Sequence, residues 1–90
     1  MQTYEEIIKN FYDDFSEEIS SGTKYLEMAE SSDRMGNTAL AGGLVTMAHE
    51  EYTHGKYILM NLKQAGHQIP DDTWKKWQEF ESKLHQVFHR

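Results

Sequence analysis

Glu51-Tyr-Thr-His54 sets a carboxylate and an imidazole three positions apart. On a helix that is about one turn on one face, so both can reach a single ion. Glu18 lies 33 residues before Glu51, and Tyr25 follows Glu18 by seven. Carboxylate oxygens suit hard cations, and one imidazole shifts the preference toward iron, manganese or zinc over calcium and magnesium. Cysteine is absent, which excludes disulfides, thiolate-bound zinc and iron–sulfur clusters. A plainer reading also holds for the same residues: Glu18 and His54 as a polar pair that fixes register in an ordinary helical dimer.

The elements that must position these residues are helical. Thr3-Tyr-Glu-Glu6 has the form of a capping box, and helical spacing follows to about Ser31. Ser31–Asn37 is turn-rich, with Gly36 available for a left-handed backbone. A second helix is predicted over 38–65, stopping at Gly66. The single proline, Pro70, opens a third over 71–89. The predicted fold is all-α, one domain over 1–90: an antiparallel two-helix hairpin (3–31, 38–65) and a short C-terminal helix.

Tyr4, Ile8, Phe11, Phe15, Glu18, Gly22, Tyr25 and Ala29 recur at steps of four and three on the first helix. Leu40, Leu44, Met47, Glu51, His54, Ile58 and Leu62 do so on the second. Both patterns predict inward seams of the kind that pack at shallow angles, each apolar except at its centre. Buried carboxylates need compensation, and a cation provides it. A two-metal site in a four-helix bundle takes one Glu from each of two helices and Glu-x-x-His from each of the other two. This hairpin carries half of that set. Two copies about a two-fold axis supply the whole and bury seams that a lone hairpin leaves wet, which a 90-residue chain without disulfides needs.

In these features the chain resembles the ferritin and rubrerythrin superfamily over roughly residues 4–65. With a single motif copy and a short third helix, it is most similar to the encapsulated ferritins and related half-ferritins. The resemblance implies a homodimer or higher even-numbered oligomer, such as a ring of dimers, that closes into a ferritin-like four-helix bundle. It implies a di-iron centre with two irons per dimer interface, held by Glu18, Glu51 and His54, with Tyr25 beside the ligands and manganese or zinc as substitutes. It further implies ferroxidase activity, with Fe(II) as substrate and oxygen as oxidant, for iron storage or detoxification. Asp14 and Glu17 are the acids available for an iron approach path. Residence in an encapsulin shell is a further implication, although His85-Gln-Val-Phe-His-Arg90 does not resemble a shell-docking tail.

Two rivals belong beside this reading. One is a di-iron or di-manganese peroxidase or catalase of rubrerythrin type. The other is a metal-free interaction module that docks a partner through Trp74, Trp77, Phe80, Leu84 and Phe88, a single stripe on the last helix. His85 and His89 are four apart and lack a third ligand, so they read as exposed helix-end histidines. Glu50 and His49 point off the seam. Gly22 leaves room either for a metal-bound ligand or for close helix packing.

Fifteen acidic against nine basic side chains give a net charge of −6. Such a surface repels nucleic acid and anionic membranes and attracts cations. No apolar run approaches the roughly 20 residues of a membrane span, and Met-Gln-Thr-Tyr-Glu-Glu is no signal peptide. The expectation is a soluble, cytoplasmic protein that binds neither nucleic acid nor membrane.

Overall fold

Thr3 begins the fold as the sequence predicts: its hydroxyl accepts from the Glu6 backbone N–H at 3.2 Å, capping the first helix. The computed structural model describes residues 1–88. Helix α1 spans Tyr4–Arg34, α2 Thr38–Gln64 and α3 Asp71–Phe88. Expectations placed on His89 and on the Phe88 side chain lie outside what the structure describes.

α1 runs about one turn past its predicted end. It stops where Gly36 takes a φ of 82°, and the Asn37 N–H bonds back to the Ser32 carbonyl at 2.9 Å. The same device ends α2, with Gly66 at a φ of 82° and His67 N–H on the Leu62 carbonyl. Only glycine reaches that backbone region without strain, so both stops are written in the sequence. Asn37 then caps α2 through its side chain, which accepts from Leu40 N–H at 3.1 Å. The loop after α2 is tied to α1 by the Tyr12 hydroxyl, donating to the Gln68 carbonyl, and by a Tyr4–His67 hydrogen bond.

α1 and α2 form an antiparallel hairpin, and α3 turns back along one side of it. The buried stripe of α1 is Phe15, Ile19, Gly22, Leu26 and Ala29; that of α2 is Ala41, Leu44, Ala48, Tyr52, Gly55 and Leu62. α3 closes this side with Trp77, Phe80 and Leu84, each almost fully buried. Two glycines receive its rings. A Cβ on Gly22 would lie 2.2 Å from the Phe80 ring, and one on Gly55 2.6 Å from the Trp77 ring. One glycine belongs to each hairpin helix, so α3 braces both from behind.

The core therefore runs one residue beside the predicted seams. Phe15, Gly22, Ala29, Leu44 and Leu62 belong to both stripes. Ile19 and Leu26, rather than Glu18 and Tyr25, are the buried members between them. Tyr4, Leu40 and Met47, predicted to face inward, are 59%, 51% and 42% exposed. Their seam forms a second face of the hairpin, which α3 does not cover. The elongated chain measures 49 × 26 × 17 Å and exposes 6229 Å². A compact monomer of 10.6 kDa exposes about 5,500 Å². The surplus of several hundred Å² fits a hairpin with one face left open.

Candidate metal centre

On that open face, at mid-height of the hairpin, Glu18 of α1 meets Glu51 and His54 of α2. One ligand atom from each lies within 4.8 Å of the others, and together they form a group able to hold a metal ion. Helical spacing places them there: Glu51 and His54 share a face one turn apart, and antiparallel pairing brings α1 alongside at Glu18. His54 Nδ1 stands 3.9 Å from Glu18 Oε1, inside ion-pair range but too long for a hydrogen bond. The Glu18 side chain is 20% exposed and that of His54 62% exposed. The site is thus buried on the α1 side and open toward solvent on the imidazole side.

The electrostatics of the cluster favour a bound proton or a cation. Glu18 is pushed up to about 7, first by burial, then by hydrogen bonding to and the negative charge of Glu51, and lastly by Asp14 and Glu17. Glu18 Oε2 is buried without a hydrogen-bond partner among the described residues. A shared proton or a bound cation would satisfy it, and bare anions would not. The residues present fit a metal on both counts: two carboxylates and an imidazole converge, and a buried oxygen among them lacks a partner.

Tyr25 is half-buried and packs against the core cluster, but its hydroxyl bonds to neither Glu18 nor Glu51 in the single chain. Asp14 and Glu17 are exposed acids whose charges reach Glu18. Glu50 and His49 are exposed beside the motif. His85 sits on α3 with its ring 6.5 Å from that of Tyr52, away from the three ligands. A cleft of about 630 Å³ opens between α1 and α3 and contains none of Glu18, Glu51 and His54. Its rim mixes Lys24, Lys76 and Lys83 with Glu27 and Glu79.

Behind the ligands lies a group that motif reasoning passed over. Tyr52, a spacer inside Glu51-x-x-His54, points into the core and donates its hydroxyl to Glu81 of α3. Its ring stacks on Trp77 at 5.0 Å and 10°. Burial, followed by Glu81, pushes the phenol up to about 12. The period Leu44, Ala48, Tyr52, Gly55 held this information, but only the place of α3 gives it meaning.

No protein-family model, curated protein or solved structure matches the chain. No helix among the described residues is long and apolar enough to cross a membrane.

Proposed function

We propose that two copies of this chain pair through their open faces and bind two iron ions between them, and that the centre oxidises Fe(II) with oxygen. The observation that carries the reading is the meeting of Glu18, Glu51 and His54 on an uncovered, largely apolar face. Two carboxylates and one imidazole per chain make half of a carboxylate-bridged pair site. A second hairpin would bring the other half and cover Leu40, Met47 and the partly buried Tyr25 and Ile58. The oxygen-rich donor set favours the more highly charged Fe(III) product, and its single imidazole suits iron or manganese better than calcium.

In this reading Fe(II) is the substrate. Each iron gives up one electron, and two irons with two protons take oxygen to hydrogen peroxide. Glu18 and Glu51 neutralise the incoming charge, and Glu18 releases its proton as iron binds. His54, on the solvent side, supplies the neutral nitrogen donor. Asp14 and Glu17 extend the negative potential outward and favour the approach of cations. The oxidised iron would pass to storage, and an encapsulin shell is one setting implied by the family resemblance.

The test is the mass of the native assembly with and without anaerobic Fe(II), counting bound metal per subunit. One iron per subunit in an even-numbered oligomer is expected, followed by oxygen uptake on aeration. Glu18→Ala or His54→Ala should lower paired-metal affinity at least about 100-fold while leaving helicity intact. Oxygen consumption surviving either change would sink the assignment. Comparing oxygen with peroxide as oxidant separates the peroxidase rival. The burial of Trp77, Phe80 and Leu84 against the chain's own hairpin weighs against an interaction module that docks through that stripe, and metal-independent stability and assembly would favour it.

A further inference from the structure

We infer that Tyr52, Trp77 and Glu81 form an internal sink for one-electron oxidation: a hole taken up by the Trp77 indole passes to the Tyr52 phenol, whose proton moves to the Glu81 carboxylate. The inference stands apart from the metal reading and is tested on metal-free protein.

Three observations carry it. First, the two most easily oxidised side-chain types are in contact, with Tyr52 and Trp77 stacked at 5.0 Å and 10°. Second, the Tyr52 hydroxyl donates to a carboxylate oxygen of Glu81. An oxidised phenol becomes strongly acidic, so a buried tyrosine yields its electron readily only where a base takes the proton at once. Third, cations above the rings steer the hole. The Lys63 ammonium lies 4.9 Å over Trp74 and disfavours positive charge there, whereas among the described residues no such cation is found over Trp77. Lys56 lies 5.5 Å over Tyr52. It opposes a phenol radical cation, so oxidation at Tyr52 must end as the neutral radical, with the proton on Glu81.

The other tyrosines offer less. Tyr12 donates to a backbone carbonyl, which is not a base. Tyr4 pairs with the His67 imidazole but is 59% exposed and has no indole stacked on it. The step balances as follows. Phenol and carboxylate become phenoxyl radical and carboxylic acid, and an oxygen-derived one-electron oxidant, such as hydroxyl radical, becomes its one-electron-reduced form. The apolar packing of Phe15 and Phe80 around Trp77 keeps the pair away from water and from radical–radical coupling.

The experiment oxidises the metal-free full chain with photogenerated tris(bipyridyl)ruthenium(III) and reads the products by freeze-quench electron paramagnetic resonance. A neutral tyrosyl signal is expected in the wild type, and Y52F should reduce it at least fivefold. E81Q keeps a hydrogen-bond acceptor but cannot take the proton. It should slow radical formation at least fivefold and remove the solvent deuterium isotope effect, a change that a merely structural role would not produce. W77F, checked for retained helicity, should lower the yield and shift holes to Trp74. An undiminished tyrosyl signal in Y52F, or an E81Q rate and isotope effect equal to wild type, would overturn the inference.

Discussion

The two faces of the hairpin are built on opposite terms. The back is packed: Phe15, Ile19, Leu26, Ala48 and Tyr52 meet Trp77, Phe80 and Leu84, and two glycines seat the rings. The front is apolar but unfinished, and at its centre it gathers two carboxylates against their own repulsion. The back supplies the cohesion that lets the front hold an arrangement it would not adopt unaided. A strained cluster at a site, tolerated because the surroundings are overdetermined, is a common sign of function.

The strongest way to break this contrast is to empty the back. Trp77→Ala removes a buried ring that touches Phe15, Tyr52 and Phe80. Such deletions cost about 3–5 kcal/mol, most or all of the stability of a small domain. Urea denaturation followed by far-UV circular dichroism should show loss of the cooperative transition near neutral pH. A transition within about 1 kcal/mol of wild type would mean that α3 does not brace the hairpin.

Next in size is the front acting against the fold. Glu18 holds its proton up to about pH 7 in the folded chain and up to the ordinary 4.5 when unfolded. The folded state therefore binds the proton more tightly. The stability this confers is complete below pH 4.5 and lost as the pH rises through about 7, by up to about 3 kcal/mol. Glu18→Gln should make metal-free protein more stable than wild type at pH 8 and flatten the dependence between those limits. The same change should remove stabilisation by added metal. Thermal melts at pH 4.5, 6 and 8, with and without metal, check both signs.

How much of this was legible depends on which face is considered. The helix starts and the stop of α2 were, because Thr3, Gly66 and Pro70 act locally and need no tertiary partner, whereas α1 runs to Arg34, three residues past the end its turn-rich stretch suggested. The meeting of Glu18, Glu51 and His54 was too, because polar residues centred on an apolar stripe stand out. The register of the core was not. Phe15, Gly22 and Ala29 fit a stripe through Glu18 and Tyr25 as well as one through Ile19 and Leu26. Both stripes are apolar, since the hairpin has two faces to cover. What separates them is Phe80 lodged at Gly22 and Trp77 at Gly55, contacts between segments far apart in sequence. Gly22 read equally well as room for a metal ligand or as a packing site, and the Phe80 ring decides for packing.

That seat gives a smaller test of whether the faces are separable. Gly22→Ala forces a methyl group against the Phe80 ring, where the Cβ would lie 2.2 Å from its nearest carbon. Overpacking of this kind costs about 1–3 kcal/mol. Since the ring enters from the back, metal bound per subunit should stay unchanged while the denaturation midpoint falls. A parallel loss of metal would instead show that the placement of α3 is transmitted to Glu18, one turn away.

The smallest effect belongs to Tyr25→Phe. The phenol lies on the front seam two turns from Glu18, half-buried, and its ring packs against the core. Phenylalanine keeps that packing, and in the single chain the hydroxyl holds no ligand carboxylate, so stability should change by less than about 0.5 kcal/mol. Groups that orient metal ligands typically contribute about 10- to 100-fold to affinity. With no such bond within one chain, the expected loss in metal affinity is about tenfold or less, measured by competition with a chromogenic chelator. A loss near 100-fold would place the hydroxyl on a carboxylate only after two chains meet, making Tyr25 a reporter of pairing: its contribution would then fall on dilution, as the assembly dissociates.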